Sequence, residues 1–142
     1  MTTRVLIVDA DERFSSEMAR NLSERSFVVF CAPRGEDAVA FVREHDADVV
    51  LLNATLPGGR VLETLREIKL LSPLTQVIMV TGEKTIDVAI RGMKLGAHDC
   101  LVTPGQSELI EDKINKARSL KTAQEERIKR AEVDRLVMKR EW

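Results

Sequence analysis

Cysteine is scarce in this chain: Cys31 and Cys100 are the only two in 142 residues. They have neither the clustered Cys/His spacing of a zinc site nor the Cys-x-x-Cys of a redox motif, so reduced thiols and a cytoplasmic setting are expected. An excess of charge of either sign is also missing. Lys and Arg number 22 against 23 Asp and Glu, a formal net charge of −1, which removes any electrostatic reason to expect nucleic acid or an anionic membrane as a partner of this domain. No apolar stretch approaches the roughly 20 residues that cross a bilayer. The first residues lead straight into a strand-like run without the basic and apolar regions of a secretory signal.

What is present is alternation. Short apolar, β-branched runs bounded by turn residues recur at 4–9, 27–31, 48–53, 76–81 and 98–102, the pattern of strands buried on both faces. Segments of helical length and period separate them. Phe14, Met18 and Leu22 mark one face of the first, with Asp11 as N-cap; Ala38, Phe41 and Val42 mark the second, and Val61, Leu65 and Ile68 the third. Ile86, Ala89, Ile90 and Met93 mark the fourth, and Leu109, Ile110 and Ile114 the fifth. Five strands alternating with five helices predict an α/β fold, a doubly wound parallel sheet with helices on both faces. The flavodoxin-like order 2-1-3-4-5 fits best, which puts Cys31 and Cys100 on opposite edge strands, too far apart for a disulfide.

The domain is assigned to residues 1–119, with 120–142 a helical extension or linker. Twelve of the 22 residues from Lys121 onward are charged. A weak seven-residue repeat places Ile114, Ile128, Ala117, Ala131 and Met138 on one stripe, interrupted by Lys121, Gln124 and Arg135. Pairing with a second copy and a solvated, charged helix are both compatible with it.

Four strand ends carry the most specific signal. They read Leu6-Ile7-Val8-Asp9-Ala10-Asp11, Val49-Val50-Leu51-Leu52-Asn53 followed by Leu56-Pro57-Gly58, Ile78-Met79-Val80-Thr81-Gly82, and Cys100-Leu101-Val102-Thr103-Pro104. Over residues 4–117 this resembles the receiver domain of two-component response regulators. The resemblance implies chemistry in which an aspartate accepts a phosphoryl group from a histidine kinase, a pair of acids holds Mg²⁺, and a hydroxyl and a lysine hold the phosphoryl oxygens.

Carried over by position, Asp9 matches the first metal-binding acid, while Ala10 replaces the second and offers no ligand. Asn53 stands at the phosphoacceptor, where an amide is a poor nucleophile. Thr81 keeps the hydroxyl position, and Thr103 replaces the lysine before the retained Pro104. Three separate losses point to a degenerate receiver rather than a single engineered substitution. Mg²⁺ binding is expected to be lost or weak, no other cofactor is expected, and no catalytic residue is assigned.

The resemblance therefore implies a pseudo-receiver of a phosphorelay, not itself an enzyme, that works by protein-protein interaction or dimerisation. The family docks through the fourth helix, fifth strand and fifth helix, a face assigned here to Ile86, Val88, Arg91, Lys94, Glu108, Glu111 and Asp112. A sensor kinase or a fused output domain is the other partner this implies. Two alternatives stand beside it: a phosphoacceptor using Asp9, Asp11 or Thr81, and a vacated site that senses a ligand. Asp9 and Thr81 also have structural uses, Asp9 accepting hydrogen bonds from backbone or Thr103 and Thr81 capping the loop after the fourth strand.

Overall fold

The computed structural model describes residues 2–141. Five strands, β1 (Arg4–Val8), β2 (Val28–Ala32), β3 (Val49–Asn53), β4 (Gln76–Thr81) and β5 (Asp99–Val102), alternate with α1 (Glu12–Glu24), α2 (Gly35–Glu44), α3 (Val61–Leu71), α4 (Ile86–Lys94) and α5 (Ile110–Glu141). All strand pairs are parallel, in the order β2-β1-β3-β4-β5. This is the flavodoxin-like order expected from the alternation, extended by a fifth helix of 32 residues. Among the described residues no helix is long and apolar enough to cross a membrane.

Successive residues of the central strands feed two cores, because side chains alternate across a sheet. Leu6, Val8, Val50, Leu52, Val77 and Met79 pack with α2, α3 and α4. Val5, Ile7, Val49, Leu51, Ile78, Val80 and Leu101 pack on the other face with Leu22 of α1 and Ile110, Ile114 and Ala117 of α5. Burial on both faces holds for β1, β3 and β4. It fails at the edges, where β2 exposes Val28 and Cys31 and β5 is mostly half-buried, Cys100 included. The two thiols lie on opposite edge strands as expected.

Two helical faces depart from the sequence pattern. In α4 only Ala89 and Gly92 are buried, while Ile86, Ile90 and Met93 are exposed. The physical reason is close approach: a Cβ on Gly92 would lie 2.9 Å from Met79 Sδ, so this side of the helix meets the sheet and the isoleucines are turned off it. Leu109 likewise sits exposed in a single 3-10 turn before α5 rather than in the core.

The α2–α3 packing depends on a second close approach. A Cβ on Gly35 would lie 2.2 Å from Thr64 Oγ1, and that hydroxyl already donates to the Arg60 carbonyl at 3.2 Å. Gly35→Ala is expected to destabilise the fold by about 1–3 kcal/mol through overpacking, read by urea denaturation. Gly35→Ala in a Thr64→Ala background should recover most of that loss.

Candidate functional site

At the carboxyl ends of β1 and β3 two polar side chains close on one another. Asp9 follows β1 and is buried. Its Oδ1 accepts the Asp11 backbone N–H at 2.8 Å and its Oδ2 accepts Asn53 Nδ2 at 2.7 Å. Asn53, the last residue of β3, is held the right way round by its other end, since its Oδ1 accepts the Thr55 backbone N–H at 2.7 Å. That contact fixes which end of the amide faces Asp9. The two side chains are thus joined by a direct hydrogen bond.

The neighbouring positions are equally occupied. Thr81 is buried, donates from Oγ1 to the Gly82 carbonyl at 2.8 Å, and shares a 2.7 Å hydrogen bond with the Thr85 hydroxyl. It caps the turn after β4. Asp11 caps α1, accepting the Phe14 N–H at 3.1 Å. Thr103 binds through its backbone, donating to the Thr81 carbonyl at 2.8 Å, and precedes Pro104 across a cis peptide bond. Asp9 takes its side-chain hydrogen bond from Asn53, a residue not foreseen as its partner, rather than from Thr103.

The donor set does not suit a magnesium ion. Ala10 supplies no oxygen, and Asp9 already accepts through both carboxylate oxygens, whereas Mg²⁺ demands near-octahedral oxygen coordination. Among the described residues no group of three or more His, Cys, Asp or Glu is placed to hold a metal.

The assigned docking residues lie on α4 and around the start of α5. Val88 and Arg91 line a groove with Leu62 of α3, and Arg91 pairs with Asp87 at 3.3 Å. Glu108 lines the groove between α1 and α5, and Glu111 pairs with Arg25 at 3.0 Å. Lys94 lies in α4's last turn, and Asp112 pairs with Lys116 along α5 at 3.0 Å. Flanking β5, the exposed apolar side chains are Ile86, itself one of the assigned residues, with Ile90 and Met93 of α4 and Leu109 before α5.

The opposite pole carries a cluster that no motif announces. Asp48 and Lys121 are both buried. Asp48 Oδ1 accepts Lys121 Nζ at 2.8 Å, Oδ2 accepts the Arg4 N–H at 2.8 Å, and the Arg118 guanidinium pairs with the same oxygen. Lys121 also reaches Asp46 at 3.3 Å. Burial pushes the Asp48 carboxyl up, but the Arg4 amide and the Lys121 ammonium outweigh it and hold it below the usual range. Burial pulls Lys121 down, and the Asp48 hydrogen bond outweighs that, leaving it raised. Three residues on, Gln124 Oε1 accepts Gln76 Nε2 at 3.2 Å. Contact between α5 and the sheet therefore continues past residue 119, and the 119/120 division falls inside an unbroken helix.

Residues 5–115 match the family model of the response regulator receiver domain. Among solved structures, a receiver domain protein from Clostridium thermocellum is 27% identical with a TM-score of 0.79, the match covering 86% of this chain and 98% of that one. An adenylate cyclase from Rhodopirellula baltica is 28% identical with a TM-score of 0.82, over 91% of this chain and 98% of that one. NtrX from Brucella abortus is 25% identical with a TM-score of 0.81, over 89% of this chain but only 29% of its own.

Proposed function

We propose, because this chain belongs to the response regulator receiver domain family, that it serves two-component signalling as a pseudo-receiver that accepts no phosphoryl group. The observation that carries this reading is the Asn53 to Asp9 hydrogen bond. It satisfies the buried Asp9 carboxylate with a hydrogen-bond donor from within the protein. The amide cannot form an acyl phosphate. The two other acids are committed as well, Asp9 to Asn53 and Asp11 to its helix cap, so neither is free to take its place.

Without that chemistry the module acts by contact. Ile86 (36% exposed), Ile90 (49%), Met93 (41%) and Leu109 (42%) leave an apolar surface on the elements beside β5, a surface for a protein partner or a second copy. The chain is read as cytoplasmic, without enzymatic activity, and without Mg²⁺ or nucleic acid as a ligand.

Incubation with acetyl phosphate and Mg²⁺, followed by intact mass, is expected to show no added phosphate, and beryllofluoride is expected to leave the amide spectrum unchanged. A phosphorylated mass, or a beryllofluoride-dependent shift, would overturn the reading. A shift produced by a small molecule alone would favour a ligand sensor instead.

A further inference from the structure

The buried stripe of α5 runs Ile110, Ile114, Ala117, Lys121, at alternating spacings of four and three. The same spacing continues through Gln124, Ile128, Ala131, Arg135 and Met138, the a/d seam of a coiled coil. Lys121 and Gln124, which look like interruptions in the sequence, are spent on the chain's own domain, bonding Asp48 and Gln76. Beyond them every residue over 125–140 is exposed. A shallow groove on this segment is lined by Ala131, Asp134, Arg135, Met138 and Lys139, which are seam residues and their flanks.

We infer that from Ile128 onward this seam pairs with the same seam of a second copy, in parallel and in register. The charges beside it select that arrangement. With Ile128 at an a position, Arg127 and Asp134 fall at g, and Glu132 and Lys139 at e. A parallel pair brings each g residue beside the e residue five places on in the other helix. Arg127 then meets Glu132 of the second copy, and Asp134 meets Lys139, both attractive and each repeated by symmetry. An antiparallel pair over this segment would set e against e and g against g, placing Glu132 beside Glu132 and Asp134 beside Asp134. None of the four makes an ion pair within the chain among the described residues. Arg135 faces its own copy in the parallel arrangement, a polar a position of the kind that fixes register at a cost in affinity.

The inference goes beyond the proposed function and uses a different surface from the apolar patch beside β5. Its test is disulfide trapping of the full chain in a Cys31→Ser, Cys100→Ser background. Met138→Cys, on the seam, is expected to form a symmetric disulfide dimer at least about tenfold faster than Val133→Cys, on the outer face. Arg127→Glu should slow trapping about tenfold, and adding Glu132→Arg should restore it. Ile90→Glu, aimed at the patch beside β5, should leave the seam preference unchanged. Equal trapping at 133 and 138, or no response to charge reversal, overturns the parallel seam even where sedimentation shows a dimer. A dimer lost with Ile90→Glu alone bears on the proposed function instead.

Discussion

Asp48→Ala is expected to cost about 3–5 kcal/mol of folding stability, the range for removing one partner of a buried ion pair. The residue is 3% exposed and its carboxylate is shared by Lys121, Arg118 and the Arg4 amide, so the substitution leaves the buried Lys121 ammonium only the exposed Asp46 carboxylate, beside a half-buried guanidinium. For a domain of this size the melting temperature should fall by roughly 10–20 °C. The pH dependence follows from the directions of the two shifts. Asp48 is held low, so its contribution is complete above the unfolded carboxylate value of about 3.9 and is lost as pH falls through its lower folded value. Lys121 is held high, so its contribution is complete below about 10.4 and is lost as pH rises through its folded value. The gap between wild type and Asp48→Ala in urea denaturation should therefore be flat around neutrality and narrow toward pH 3. Asp48→Leu combined with Lys121→Met should cost less than the sum of its parts. A gap under about 1 kcal/mol at pH 7 would mean that solvent reaches the pair and the ionic contact does not hold α5 in place.

Asn53→Asp is the second large effect. It turns a 2.7 Å amide-to-carboxylate hydrogen bond into two facing carboxylates, and Asp9 is only 7% exposed. A loss of about 2–4 kcal/mol at pH 7 is expected from the hydrogen bond and the like charges together. The introduced pair would hold a proton more tightly folded than unfolded, so the loss should shrink as pH falls toward about 5. Millimolar Mg²⁺ should do little for this single variant. Ala10→Asp, Asn53→Asp and Thr103→Lys together restore the family's metal acids and cation, and should show Mg²⁺ binding by calorimetry. If Asn53→Asp is as stable as wild type from pH 5 to 8, the amide is not what holds Asp9. If the triple variant binds no Mg²⁺, more than side-chain chemistry separates these loops from those of a competent receiver.

Much of this fold was legible because strand and helix periods alternate cleanly, and the order 2-1-3-4-5 followed from that alternation. The nearness of Asp9 and Asn53 follows from β1 and β3 being neighbouring parallel strands with their carboxyl ends at one edge. What failed to show has common causes. Ile86, Ile90 and Met93 have the spacing of a core face, and periodicity records that a face is apolar without recording what covers it. On the same helix Val88 is half-buried and Arg91 exposed, and both line a groove with Leu62 of α3. Asp48 and Lys121 lie 73 residues apart, and nothing in either local pattern points to the other. The Asn53 amide could be recognised as a missing nucleophile from its position alone. Its second role, as the partner that keeps Asp9 satisfied, needed the geometry.

The ionic anchor at Lys121 also makes α5 a pointer of fixed phase. Its first half is tied in azimuth to the sheet through Asp48 and Gln76, and an α-helix turns by about 100° for each residue. One residue added or removed beyond Gln124 would swing everything past it about a quarter of the way round the axis, while seven would bring it nearly back. The length of this helix is thus also an angle, set by counting from Lys121.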